Sequence, residues 1–239
     1  MPEIVITEPG AFGEHVLVVG DPRRAELLAS EVLEDARLVC DARGLPGWAG
    51  TFEGRRVGLQ AHGVGGPSAA LVVEELVQVG ARRIVRLGTF GSLSPAFAPG
   101  DLLCAAAAIP HDGASRALVG GEPHAPLADF EIVHAAVHVA KGLGVRMRVG
   151  LVATTDLYVD PDDELDRRWA ARGAVGVDME TATLLTLAPL RGVSAGSFLV
   201  CSNVVDAPAT QWTADEQRAA ILSAAPIALG ALLSEPKTP

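Results

Sequence analysis

Five short segments of this 239-residue chain hold polar side chains at the ends of apolar runs, where a core would reject them. In "GDPRRA" (20–25), an apolar run stops at Gly20 and two arginines follow. A glycine lets backbone come close to a ligand. Arg23 and Arg24 stand at a helix start, where free N–H groups favour an anion. The same letters also suit a plain turn with two solvated arginines. In "RLGTFGS" (86–92), Arg86 interrupts the run "IVRLG" and so sits at a sheet edge or is paired inside. Thr89 and Gly91 then read as a hydroxyl-bearing, glycine-flanked turn suited to an anion. A strand-end turn with a partly exposed arginine is the plainer alternative. In "VDMETA" (177–182), Asp178 and Glu180 open a strongly apolar helix. Buried carboxylates need partners. Ribose 2′- and 3′-hydroxyls would serve, because one carboxylate accepts two hydrogen bonds; complementing the helix dipole is the simpler use. "TTDLY" (154–158) and "CSN" (201–203) complete the set.

The elements that must position these residues alternate between strand and helix. "HVLVVG" (15–20), "RRIVRLG" (82–88), "GDLLCAAAAIP" (100–110), "VRMRVGLVATTD" (145–156) and "SAGSFLVCSNVV" (194–205) read as strands. "GWAGTFEGRRVGLQAHG" (47–63) reads as a hairpin turning at Glu53-Gly54. Helices are expected over 22–33, where Pro22 takes a first-turn position, and over 67–80, 129–143, 162–173 and 179–192, with another from about Thr213. Residues 111–128, rich in Gly, Pro, His and Ala, read as a long surface loop. Together these give one α/β domain over residues 1–239, a mixed central β-sheet flanked by helices. In such sheets ligands gather beyond the carboxyl ends of the strands, where the five segments fall.

Composition narrows the function. The formal net charge is −10, which disfavours nucleic acid as a partner. An acidic chain that binds an anion must gather its arginines locally. No apolar run reaches the roughly 18 residues of a membrane span, and "MPEIVITEPG" lacks the basic start of a signal peptide. Cys40, Cys104 and Cys201 are too widely spaced for a disulfide framework, which fits a reducing cytoplasm. No Cys or His cluster has metal-ligand spacing, so no metal is expected. His62 and His111 read as structural or surface residues.

In order and spacing, these segments resemble the nucleoside phosphorylase family of hexameric bacterial purine nucleoside phosphorylases and uridine phosphorylases. The likeness runs from "VVGDPRRAELLA" through "DARGLPGWAGTFEGRRVGLQAHGVGGPSAALVVEEL", "RLGTFGSL", "HDGASRAL", "VGLVATTDLY" and "GVDMETATLL" to "VCSNVV". It implies phosphorolysis of a nucleoside to free base and ribose 1-phosphate, with phosphate as co-substrate and no cofactor. It implies phosphate ligands at Gly20, Arg24, Arg86 and Thr89, with Arg43 lent to a neighbouring subunit of a homohexamer or dimer-based homo-oligomer. It implies ribose contacts from Met179 and Glu180 and base contacts from Tyr158, Gly91 and Asn203, with Asn203 and Arg86 acting in catalysis.

The chain departs from the family pattern in several places. Asp178 stands for a more usual glutamate, Val64 for a frequent methionine and Phe90 for a small residue, and the N-terminal "EIVITE" lacks a common histidine. Asn203 replaces an aspartic acid, which points to 6-oxopurine nucleosides, inosine and guanosine. "HDGASRAL" and "METATLLTLA" lean toward a uridine phosphorylase, but a Gln-x-Arg pyrimidine-reading element is missing between Tyr158 and Gly176. A hydrolytic nucleosidase and a catalytically silent nucleoside-binding protein are the other readings.

Overall fold

The computed structural model describes residues 2–205 and 212–234. In chain order the elements are β1 (His15–Val19), α1 (Pro22–Glu31), β2 (Glu34–Ala42), β3 (Leu45–Phe52), β4 (Arg55–Ala61), α2 (Gly66–Gln78), β5 (Arg83–Ser92) and β6 (Leu102–His111). They continue with α3 (Gly113–Leu118), α4 (Phe130–Gly142), β7 (Met147–Thr155), α5 (Leu165–Ala171), β8 (Ala174–Asp178), α6 (Thr181–Leu190), β9 (Ser194–Val204) and α7 (Ala214–Leu233). The nine strands form one mixed sheet in the order β2-β3-β4-β1-β5-β8-β7-β6-β9, and β9 also pairs with β5. That last pairing closes β5, β8, β7, β6 and β9 into a ring, which removes the sheet edge that β9 would otherwise leave. The mixed α/β architecture agrees with the sequence.

Local chemistry explains the element ends. β3 and β4 turn through Glu53 and Gly54, both at positive φ (50° and 71°), the two-residue turn whose twist suits a hairpin. Helix α7 opens with a reciprocal capping box between Thr213 and Glu216. Packing between the sheet and α4 and α7 makes the larger core, where Ile132, Phe198, Ile227 and Leu232 meet. Val16, Ile84, Leu76 and Leu185 lie in the core that faces α2 and α6.

Three expectations need correction. Residues 111–128 are not all loop: Asp112 caps the short helix α3 by accepting the Ser115 N–H at 2.7 Å. The segment "LGTFGS" is not a turn; β5 continues to Ser92 because β9 pairs with it throughout, and a bulge between Phe90 and Gly91 absorbs the irregularity. The start of α1 is not free for an anion, because Asp21 already caps it, its carboxylate accepting the Arg23 N–H at 2.9 Å.

What this topology does for a site follows from strand direction. β1 is parallel to β4 and to β5, and β5 is parallel to β9. The carboxyl ends of these four strands therefore share one edge. Gly20, His62, Thr89, Gly91 and Asn203 come to that edge from segments far apart in sequence.

Candidate active site

Arg86 is the centre of the cluster. It lies on β5 beside Val18 of β1 and Ser197 of β9, and it is only 4% exposed. Of the two positions open to it in the sequence, the structure shows the paired one. Its Nη2 donates to Glu180 Oε2, and its Nη1 stands 3.2 Å from Asp178 Oδ2. Gly88 makes this possible: a Cβ there would fall 2.1 Å from Nη1. Burying three charged groups is costly, and the mutual attraction offsets that cost only when the remaining donors and acceptors are matched.

Most of the acceptors are matched. Glu180 caps no N–H of α6 with its side chain; instead its Oε1 accepts the Gly65 N–H, just ahead of α2, at 2.7 Å. Asp178, the last residue of β8, accepts from Thr154 Oγ1 at 2.7 Å, from Thr181 Oγ1 at 2.6 Å and from the Thr181 N–H at 3.0 Å. Burial pushes the Asp178 carboxyl above the usual carboxylate range, against the pull of Arg86 and these donors. The aspartate that departs from the family pattern thus serves as the second anchor of Arg86. Met179, between the two acids, is half-buried.

Arg24 is half-buried on the first turn of α1, and its guanidinium makes no hydrogen bond or ion pair within the described residues. Burial, and then the charge of Arg86, hold its guanidinium below the ordinary arginine range, while Asp21 and Glu180 act in the other direction. Two cations that feel each other's charge, one of them without a partner, make a place where an anion is favoured.

At the far side of β5, Gly91 pairs in register with Asn203 of β9. A Cβ on Gly91 would stand 3.6 Å from Asn203 Oδ1, so the amide lies close against the glycine backbone. Asn203 is exposed, and its Oδ1 accepts from Ser202 Oγ at 2.8 Å. The amide NH2 makes no hydrogen bond within the described residues and is an uncommitted donor.

Other expected residues stand apart. Tyr158 is 88% exposed on the segment between β7 and α5, outside the buried cluster. Arg43 is at the tip of the β2–β3 hairpin, at φ 55°, and its exposed side chain pairs with Glu3 at 2.7 Å. Phe90 is fully packed: its ring lies edge-on to Phe97 and covers Gly176, whose missing side chain leaves it room. Val64 is exposed. Among the described residues no group of three or more His, Cys, Asp or Glu side chains could hold a metal ion. No described helix is long and apolar enough to cross a membrane. All three cysteines are free and buried.

Two features went unread in the sequence. Asp178 anchors Arg86 together with Glu180, a pairing hinted at only by two acids beside an apolar helix. His62 is buried at the edge where β4 ends, and neither ring nitrogen has a hydrogen-bond partner. Its position in "HGVGG", directly after a buried strand, was the available signal.

Comparison with known proteins bears on this arrangement. The phosphorylase superfamily model matches residues 14–234. A DeoD-type purine nucleoside phosphorylase of Caldanaerobacter subterraneus subsp. tengcongensis is 36% identical over 222 residues, covering 92% of this chain and 95% of the relative. One from Thermoanaerobacter sp. is 35% identical, covering 91% and 94%. The Vibrio cholerae DeoD-type 2 enzyme is 34% identical, covering 82% and 84%. The chain belongs to the phosphorylase superfamily.

Proposed function

We propose that this protein is a purine nucleoside phosphorylase that cleaves 6-oxopurine nucleosides with inorganic phosphate. The observation that carries this reading is the Arg86–Glu180 pair at the shared strand edge, with unpaired Arg24 beside it. One end of that pair suits an anion and the other suits a diol. Relatives with purine in their names favour the purine form of the reaction over the uridine form.

Phosphate is held by Arg24, Arg86, Thr89 and the backbone at Gly20. Glu180, with Met179, fixes the ribose 2′- and 3′-hydroxyls. The bond between the anomeric carbon and the base lengthens, and its electron pair leaves with the base. A phosphate oxygen then attacks the cationic carbon from the opposite face, giving ribose 1-phosphate. The ion pair fixes the separation of the two reactants, so much of the rate comes from positioning. The anion beside the developing cation supplies electrostatic stabilisation. Asn203 receives the departing base. An amide is no general acid near neutral pH, but its NH2 donates to N7 and O6, which both gain negative charge. Tyr158 enters only by stacking on a bound base. Arg43, on an exposed hairpin tip, reaches the phosphate of a neighbouring chain in a homohexamer or other dimer-based homo-oligomer. Three free, buried cysteines support a cytoplasmic setting.

The test is a panel of inosine, guanosine, adenosine, uridine and methylthioadenosine, each with and without phosphate. The expected result is cleavage only with phosphate, fastest for inosine and guanosine, with ribose 1-phosphate as product. Equal cleavage without phosphate would make the protein a hydrolase. Fastest cleavage of uridine would make it a uridine phosphorylase. Binding without turnover would make it a silent nucleoside-binding protein. Sedimentation showing a fully active monomer would remove the shared role of Arg43.

A further inference from the structure

His62 is 1% exposed, and its Nδ1 and Nε2 both lack a hydrogen-bond partner among the described residues. A buried polar atom without a partner is rare, because its desolvation is not offset. The backbone around the ring is firmly held. The His62 N–H donates to Val19 O at 2.8 Å, the Gly63 N–H donates to Gly20 O at 3.1 Å, and Ser68 Oγ donates to the His62 carbonyl at 2.5 Å. The histidine is thus fixed against the Gly20 turn. A Cβ on residue 20 would lie 3.6 Å from the His62 Cε1, the carbon that separates the two ring nitrogens. The nitrogen-bearing edge of the ring therefore faces the turn from which Arg24 projects.

Charge around the ring fixes its protonation. Burial first, and then Arg86, with Arg24 adding to it, push the imidazolium pKa down to about 3. The ring is neutral at physiological pH, with one donor and one acceptor. Arg86 Nε–H is also without a hydrogen-bond partner. The backbone at Gly63 and at His62 itself pulls the pKa the other way, yet neither makes a hydrogen bond to a ring nitrogen, so the donor stays uncommitted.

We propose that His62 is a further residue of the phosphate subsite, its neutral imidazole donating one ring N–H to an oxygen of the bound anion at the Gly20 turn. This rests on the phosphorolysis reading above and adds a ligand that contributes direction without charge. Two guanidiniums attract any anion, whereas a fixed, neutral donor selects one orientation of it.

The experiment is calorimetric titration of inorganic phosphate, without nucleoside, into the parent protein and into His62→Leu, His62→Asn and His62→Gln. Asn and Gln each place an amide nitrogen near one of the two ring nitrogens; Leu has none. Phosphate affinity should fall about tenfold or more in His62→Leu, the usual loss for a hydrogen bond to a charged group. One of the two amide variants should stay within about threefold of the parent, because it keeps the donor. In steady-state assays the KM for phosphate should follow the same order, with the KM for nucleoside at saturating phosphate unchanged. Parent-like affinity in His62→Leu, or equal loss in all three variants, would overturn the assignment and leave phosphorolysis standing. If His62→Leu does not fold, equal phosphate affinities in the two amide variants would overturn it instead. A parent that binds no phosphate and cleaves nucleosides without it would overturn both.

Discussion

Gly88→Ala adds one methyl group and should disable the site. The new Cβ would lie 2.1 Å from Arg86 Nη1, 2.5 Å from Cζ and 2.7 Å from Nη2. Ordinary contact between such atoms needs about 3.5 Å, so the guanidinium must move by an ångström or more. On an exposed arginine this would be cheap, because the end of the chain is flexible. Here the guanidinium is buried and tied to Glu180 and Asp178, so moving it strains or breaks both pairs. Fully uncoupling a buried pair costs about 3–5 kcal/mol; a shift that keeps one partner should cost about 1–3 kcal/mol, as core overpacking does. The effect on rate should be larger than the effect on folding. A displacement of about 1 Å in a positioning group can cost about a hundredfold. Phosphorolysis of inosine at limiting phosphate should therefore fall about a hundredfold or more, while urea denaturation shows a folded protein. Arg86→Ala should lose at least as much, with an effect of about 2.7–4 kcal/mol on the transition state. Parent-like catalytic efficiency in Gly88→Ala would refute the reasoning, since the guanidinium cannot keep its present place there.

Three further outcomes are expected. Asn203→Asp should shift the ratio of kcat/KM for inosine over adenosine toward adenosine, because a carboxylic acid can protonate N7 where the amide cannot; an unchanged ratio would remove Asn203 from the base site. Glu75→Ala should destabilise the fold by about 3 kcal/mol in urea denaturation, because the Glu75 carboxylate accepts the N–H groups of Glu3, Ile4 and Val5 at 2.6, 2.9 and 2.7 Å; a loss within a few tenths would refute this. The His62 pKa is lowered from 6.5 to about 3 on folding, so the unfolded chain binds the extra proton between those values and stability falls as pH drops through that window. From pH 7 to 5 the parent should lose about 2 kcal/mol more than His62→Leu, and parallel stability curves would show that His62 is not held neutral by the fold.

The sequence revealed the parts of the fold that depend on near neighbours. The Glu53-Gly54 hairpin, the start of α7 at Thr213 and the covered strand β1 are local signals, and each appears in the structure. β8 was hidden because its five residues are shorter than any reliable period and run directly into the acids that precede α6. The closure of β5 on both β8 and β9 was hidden because pairing at that distance leaves no trace in either segment alone. The site divides in the same way. Gly20 was visible as a strand-end turn, and Arg24, Arg86, Glu180 and Asn203 as polar residues at or near strand or helix ends. The partnership of Arg86 and Glu180 spans 94 positions and was not visible. The helix N-terminus at "GDPRRA" differs from the expectation because Asp21 caps it, and the letters alone do not separate a capping aspartate from a turn residue.

That partnership also bears on how a chain of net charge −10 could hold the proposed phosphate. Charges beyond roughly 8 Å are largely screened at physiological ionic strength, so the groups in contact decide. Without a ligand, Arg86 is neutralised by two buried carboxylates, while Arg24 has no ion-pair partner among the described residues. A phosphate arriving beside Arg24 would offset the mutual repulsion of the two guanidiniums. It would also draw on Arg86, which is already shared with Glu180. Glu180 in turn would hold the ribose less or more firmly according to how much of its charge Arg86 claims. Phosphate and ribose are therefore coupled through a single ion pair in the proposed reaction, and a change at Arg86 or Glu180 would be felt in both subsites.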